Sequence, residues 1–299
     1  MQQAGDFLTI YKKVLHYTKG FVFITIAAVV FVIGICDIIF SRIKSVSYTV
    51  KSDKIIRPIK AVFISDFHNG RNGKRIIQLT EKISPDAVFL GGDMADRHTG
   101  TKKALELIKI LSKKYKCYFA PGNHDEQLTD TELFYNQLKK MGVTVLDNDV
   151  ATVSINKNRI QICGINYNDD REDTDEDKGN SLAVDQIRRL NDISHKSLFR
   201  VLLAHFPIYA KSYSKCGFDL ILCGHEHGGI VRLPKIKNGL LGHKGFFPKF
   251  SGGLYSFAYS TMIVSRGIAY PLYNILIPRL FNNPEFVTIL IENGKRNLL

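Results

Sequence analysis

Short apolar runs punctuate the chain at Ile59 to Ser65, Ala87 to Leu90, Lys116 to Ala120, Phe199 to Leu203 and Phe218 to Cys223. Each is strand-length and closed by turn-forming residues, the pattern of a strand buried on both faces. After each of the first three, a helix is predicted. Ile76, Ile77, Leu79 and Ile83 mark a helix over Lys74 to Ile83, Leu133, Phe134 and Leu138 mark one over Thr131 to Met141, and a third is predicted over Lys102 to Ser112. This alternation of strand and helix predicts an α/β start through about Val145. Two alternating segments, Ala151 to Ile155 and Arg159 to Ile165, flank Asn156-Lys157-Asn158 and read as a hairpin opening a second, partly antiparallel layer. A short strand near Val46 to Val50 and a last strand from Phe286 to Ile291, just after Pro284, complete the pattern, with no internal repeat or low-complexity linker.

The amino-terminal region has a different texture. From Gly20 to Cys36 there is no charged residue, and the apolar run resumes after Asp37 through Ile38, Ile39 and Phe40. At ~1.5 Å rise per residue, about 20 residues span the ~30 Å hydrocarbon core of a bilayer, so the reading is a transmembrane helix over residues 20–40. No Ala-x-Ala-like cleavage site follows it. Ile33, Gly34 and Ile35 do not make a lipoprotein box before Cys36, and no twin arginine is present, so an anchor is preferred to a cleaved leader. The expected organisation is a short basic tail at 1–19, the membrane helix at 20–40, a connector with the first strand at 41–58, and one catalytic domain at 59–299. Lys12, Lys13 and Lys19 precede the span, whereas Arg42, Lys44, Lys51, Lys54, Arg57 and Lys60 follow it. The positive-inside rule then predicts a single-pass protein of the cell membrane with its catalytic domain in the cytoplasm.

The 299 residues, 45% hydrophobic, suffice for one large domain plus this appendage. Cys36, Cys117, Cys163, Cys216 and Cys223 are odd in number and embedded in apolar runs, which argues for reduced, packed thiols. The formal charge of +13 points to an anionic partner without choosing among phosphate substrate, anionic lipid and nucleic acid. One acidic cluster, from Asp169 to Asp177, has the first spacings of a calcium loop at Asp173, Asp175 and Asp177. Gly179 falls one place late, however, and Val184 stands where a bidentate Glu is needed, so a solvated loop is expected.

The chemistry concentrates where the strands end. Asp66-Phe67-His68, Gly92-Asp93, Gly122-Asn123-His124-Asp125, Ala204-His205 and Gly224-His225-Glu226-His227 hold five of the nine histidines. Carboxylate, amide oxygen and imidazole without thiolate suit Mn, Fe or Zn in hydrolysis. In open α/β sheets the loops at strand carboxyl ends carry ligand sites, and all five motifs meet that condition. Arg97 is a further candidate for phosphate contact, but a solvated arginine is the expected reading.

The ordered set DxH, GGD, GNHD, AH and GHEH resembles the calcineurin-like metallophosphoesterases from about Ile59 to the last strand. That resemblance implies a four-layer α/β/β/α sandwich of two mixed sheets and two divalent metal ions (Mn, Fe or Zn). One ion would be held by Asp66, His68, Asp93 and His227, the other by Asp93, Asn123, His205 and His225. It also implies His124 as donor to the leaving-group oxygen, with Asp125 orienting it. The ions would activate water for in-line attack without a covalent enzyme intermediate.

The amino-terminal apolar segment, the Gly228-Gly229 extension and the Gly245 to Tyr255 stretch further resemble the membrane-anchored bacterial branch, some members of which look like UDP-diacylglucosamine diphosphatases. Glu226 and Ile230 depart from the Thr and Gln expected in many relatives. The expectation is a phosphodiesterase or pyrophosphatase acting at the membrane on a lipid-linked phosphate. The Gly- and aromatic-rich segment 242–278 is expected to pack as loop and strand over the sheet; the sharper alternative is a lipid-facing lip in which Phe246, Phe247 and Phe250 cover an acyl chain and Gly252-Gly253 approach phosphate. The alternatives are a soluble phosphodiester or nucleic acid as substrate, for which no aromatic-interleaved basic stripe is visible, and a non-catalytic binding module, which would have lost ligands.

Overall fold

Strand β2 (Ile59–Ile64) shows why these runs are apolar without interruption. Ala61 and Phe63 join one buried cluster while Val62 and Ile64, on the opposite face, join another, so the strand has no solvent side. The same division holds at β3 (Ala87–Gly91), where Ala87 and Phe89 face one way and Val88 and Leu90 the other. This computed structural model describes residues 16–26, 28–29, 31–32, 42–166, 181–233, 236, 238–242, 245–269 and 279–295.

Two six-stranded sheets result. The first runs β1 (Lys44–Lys51), β14 (Glu285–Glu292), β2, β3, β4 (Lys116–Ala120), β5 (Thr144–Val145). Strands β2 to β5 are parallel, and β14 enters antiparallel to β2. The second runs β12 (Gly253–Ser256), β13 (Thr261–Val264), β9 (Leu220–Cys223), β8 (Phe199–Ala204), β7 (Asn158–Ile165), β6 (Asp149–Ile155). Its centre, from β13 to β7, is parallel, and only its outer strands β12 and β6 pair antiparallel, so the expected antiparallel character is confined to the edges. A small ribbon, β10 (Leu241–Gly242) with β11 (Gly245–Phe246), stands apart.

Between the sheets, Phe63, Phe89 and Tyr118 of the first meet Ile160, Ile162, Phe199, Val201 and Leu222 of the second. The outer face of the first sheet is covered by helices Gly73–Ile83, Lys102–Ser112 and Thr131–Lys140 through Ile76, Leu107, Ile108, Phe134 and Leu138. Helices Ser181–Asp192 and Ala210–Lys215 cover the second through Ile187, Leu190, Ala210 and Tyr213. The order is therefore helix, sheet, sheet, helix. Each fully buried Leu, Ile or Phe in these three clusters contributes about 1.5–3 kcal/mol, enough to hold loops in conformations unfavourable by themselves. Cys117, Cys163 and Cys223 are buried free thiols within this packing, and Cys216 is half-buried and also free.

Of the expected membrane segment at 20–40, residues 20–26, 28–29 and 31–32 are helical and exposed, with Phe21, Phe23 and Phe31 open to the surroundings, and residues 16–19 before it are helical too. No described helix is long and apolar enough to cross a membrane. Residues 27, 30 and 33–41 lie outside the described residues, as do the acidic cluster at 169–177 and residues 270–278.

Candidate metal centre

All five motifs open on the carboxyl edge of the parallel strands, immediately after β2, β3, β4, β8 and β9. The loops are stitched together by backbone bonds: Asp66 N to Gly92 O (3.0 Å), His68 N to Asp93 O (2.9 Å), and Gly224 N to His205 O (3.0 Å). Five chemistry-bearing residues adopt left-handed backbone, with φ of 52° at Asp66, 46° at His68, 51° at Asp93, 70° at His225 and 46° at His227. None is glycine. Such positions cost of order 1–3 kcal/mol each and persist only where surrounding structure imposes them, typically at functional sites.

The carboxylates share one pattern. Asp66 Oδ1 accepts from the His225 amide (2.9 Å) and Asp93 Oδ1 from the His124 amide (2.8 Å), which fixes each carboxylate through one oxygen. The second oxygen is left for other work. Asp93 Oδ2 lies 3.1 Å from His205 Nε2 and 3.6 Å from His68 Nε2, between the two groups of imidazoles. Asp66 Oδ2 is fully buried with no hydrogen-bond partner, as is Asn123 Oδ1. A buried polar atom left without a partner costs about 1–3 kcal/mol, and both atoms are hard oxygen donors. The ion pairs seen for buried Asp66, Asp93 and Asp96 are with histidines rather than Lys or Arg. The donor set therefore fits cations.

Ligand atoms of Asp66, His68 and His227 lie close enough together to hold one ion, and those of Asp93, His205 and His225 another. The imidazoles are oriented from behind. His205 Nδ1 bonds the Gly91 carbonyl (2.9 Å), which aims Nε2 inward, 3.1 Å from Asp93 Oδ2. His68 Nδ1 sits 3.1 Å from Asp96 Oδ2, which does the same for that ring. Burial, then the neighbouring His68 and Arg279 charges, hold the His227 pKa well below its usual value, so the ring is neutral, the form that binds a cation. For Asp93, burial works to raise the pKa, but His205, by charge and hydrogen bond, with His68 and His124, keeps it well below the usual carboxylate range. Burial likewise opposes charge on His205, and the attraction of Asp93 overrides it, lifting the pKa to about 10.

Asp125 makes contacts other than the one to His124 that the resemblance implies. Asp125 is fully buried and spends its carboxylate on backbone: it accepts from Ala95 N (2.8 Å), Gly122 N (3.0 Å) and Met94 N (3.4 Å), clamping the loop after β3 to the loop after β4. Burial and the Asp93 charge push its pKa up to about 7. The carboxylate beside His124 is instead Asp96, whose Oδ2 is 2.9 Å from His124 Nδ1 while also reaching His68. Asp96 Oδ1 accepts from the amides of His98 and Thr99, both at 2.9 Å. Its spacing three residues after Asp93 was the signal available in the chain. His124 also lies within ligand distance of His68 and Asp93.

Behind His227, the buried Arg279 and Asn282 donate to its carbonyl at 2.9 and 2.7 Å, pinning the loop after β9 from the carboxyl-terminal segment. No local motif marked either residue. Arg97 is exposed and bonded to Gln127, the residue just beyond Asn123-His124-Asp125-Glu126, and reaches none of the clustered ligands through the bonds it makes.

Space is equally constrained. A Cβ on Gly122 would collide with Asp93 Oδ1 and lie 2.6 Å from Asp93 N, and one on Gly224 would lie 2.5 Å from Asp66 Oδ2. Gly122→Ala is therefore expected to displace the Asp93 carboxylate and lower kcat/KM by about 10²-fold, the scale of a 1 Å misplacement, with unchanged circular dichroism. Wild-type turnover in that variant would show that the close approach of the two loops is unimportant.

Paired sheets with two adjoining groups of buried imidazoles and carboxylates on their shared edge define a metal-dependent hydrolase. The chain belongs to the calcineurin-like phosphoesterases, whose family model matches residues 59–229 and with them every one of the five motifs, and it is a metal-dependent phosphoester hydrolase. It is 28% identical over 207 residues to YpbG, an uncharacterised protein of Bacillus subtilis, covering 69% of this chain and 75% of that one. It is 27% identical over 246 residues to the phosphodiesterase YaeI of Escherichia coli, covering 78% and 82%. A transmembrane protein with a metallophosphoesterase domain from Danio rerio is 27% identical over 254 residues, 82% of this chain, which spans only 55% of that relative.

Proposed function

We propose that this hydrolase cleaves a phosphodiester or pyrophosphate bond at a membrane, on a phosphate joined to a lipid such as UDP-diacylglucosamine. In this reading Asp66, His68, Asp93 and His227 hold one divalent ion and Asp93, Asn123, His205 and His225 a second, with Asp93 shared. Ions held there would supply Lewis acidity toward the phosphoryl oxygens and an activated water. The observation that carries the reading is the position of Asp93 Oδ2 between His205 and His68.

The chain's own residues do the rest. Backbone amides of His124 and His225 hold the two carboxylates, and Gly91 O and Asp96 set the ring orientation of His205 and His68. His124, with Asp96 on Nδ1, presents its other ring nitrogen to the departing oxygen as a hydrogen-bond or proton donor. Asp125 supports this step indirectly by fixing the loop that carries His124.

Two features support the membrane setting: the uncharged run from Gly20 to Cys36, and relatives from Danio rerio and Bos taurus that are named transmembrane proteins. The similarity to YaeI, named a phosphodiesterase, supports diester chemistry. The proposed orientation puts the catalytic domain in the cytoplasm, so protease added to intact cells should leave it uncut. Full-length protein purified without chelator and reloaded with Mn²⁺ should hydrolyse diesters and pyrophosphates faster than monoesters, and lipid-linked pyrophosphate in mixed micelles faster than its soluble counterpart. A monoester preference would overturn the bond type, and equal rates on the soluble and lipid-linked forms would overturn the membrane assignment.

A further inference from the structure

From His227 to Pro284 the sequence contains no Asp or Glu and seven Lys or Arg, among them Lys235, Lys237, Lys244 and Lys249. Apart from β12 and β13, which belong to the second sheet, described residues of this stretch near 228–247 and 279–283 form an annex continuous with the last metal-site loop. Val231 bridges to Leu280, Leu240 N donates to Val231 O (2.7 Å), and Phe247 N donates to Leu240 O (2.9 Å), so three separate segments are tied side by side. The annex abuts the metal-site loop closely: a Cβ on Gly242 would lie 2.7 Å from Glu226 Oε2, between the two motif histidines.

This annex exposes large apolar side chains. Phe246 is 80% exposed, Phe247 65% and Phe281 58%, and Leu233 and Ile236 are exposed as well. Single exposed apolar residues are ordinary, but five on one hydrogen-bonded annex are not. Phe247 and Phe281 also hold left-handed backbone, φ 56° and 54°, where glycine or asparagine would be less strained. Phe250, by contrast, turns inward and packs edge-on against Tyr255 at 5.0 Å, so the exposure of its neighbours does not reflect a lack of room to pack.

We infer that the annex is a membrane-docking lip: Phe246, Phe247 and Phe281 enter an anionic lipid surface, Lys249 meets its headgroups, and the metal edge is thereby seated on the bilayer. Aromatic and aliphatic residues mixed with Lys and free of acid match an interface that is apolar beneath and negative above, each Lys or Arg near such a surface contributing about 1 kcal/mol. This inference rests on the membrane setting proposed above, but it is separable from the hydrolytic reading. It concerns where the catalytic edge sits rather than what it cleaves.

The chain contains no tryptophan, so one introduced indole reports on one place. Full-length Phe247→Trp is reconstituted into vesicles of phosphatidylglycerol and phosphatidylcholine, with Ile56→Trp, on a 73% exposed residue just before β2 at the opposite edge of the sheets, as the comparison. Because the amino-terminal segment can bring any variant to the vesicles, co-sedimentation is not the readout. The expected result is a blue-shifted emission for the residue-247 indole, quenched by brominated acyl chains, reduced when phosphatidylglycerol is omitted, and neither shifted nor quenched for the residue-56 indole. A water-like, unquenched emission at position 247 would overturn the lip, as would quenching by a single-stranded oligonucleotide in place of vesicles, or equal quenching at both positions. Hydrolysis of bis(p-nitrophenyl) phosphate by the same preparations is read separately, so loss of the hydrolytic reading and loss of the lip are distinguishable.

Discussion

Asp93→Asn is expected to strip both ions from the protein and to lower kcat/KM by roughly 10³-fold or more, since Lewis-acid stabilisation is worth several kcal/mol and each 1.36 kcal/mol is tenfold in rate. Asp93 Oδ2 is the atom shared between the His205 side and the His68 side. Asparagine keeps an oxygen for the His124 amide but replaces the shared negative charge with a neutral amide, so the loop can survive while the charge balance of both groups fails. Elemental analysis and turnover on one preparation decide it. Two retained equivalents of metal with normal rates would remove Asp93 from its role.

His124→Ala should behave differently, keeping its metal and losing about 10²–10⁴-fold in rate, the range for a removed general acid. The loss should grow as the leaving group worsens, being larger for an alkyl ester than for a p-nitrophenyl ester, because only a poor leaving group needs the donor. His124 lies within ligand distance of His68 and Asp93, so metal content is the discriminating readout: loss of one equivalent on substitution would make it a ligand instead. Asp96→Asn is the informative companion. Because Asp96 touches both His124 and His68, that change should lower rate and metal affinity together, the latter by about 10–100-fold, as for other groups that orient metal-binding histidines.

Much of this was legible in the chain because both strand burial and ligand chemistry leave local marks. The predicted helix over Lys102 to Ser112 forms over those same residues, and the hairpin and last strand form within two residues of expectation. The motif residues converge because each closes a parallel strand whose register aligns the carboxyl ends. What the chain hid was long-range. Nothing local says that β14 inserts between β1 and β2, nor that Arg279 and Asn282 reach back to the His227 carbonyl across more than fifty residues. The family resemblance implies Asp125 as the residue orienting His124. Tertiary packing gives that position to Asp96, while the backbone amides of three residues claim Asp125. The left-handed backbone at Asp66, His68, Asp93, His225 and His227 is likewise imposed by the surrounding sheets rather than by the residue types.

An anomalous difference map from crystals of the protein grown with Mn²⁺ should show two peaks per chain, one bounded by Asp66, His68 and His227, the other by Asn123, His205 and His225, with Asp93 between them. A single peak, or density away from these side chains, would contradict the two-ion centre.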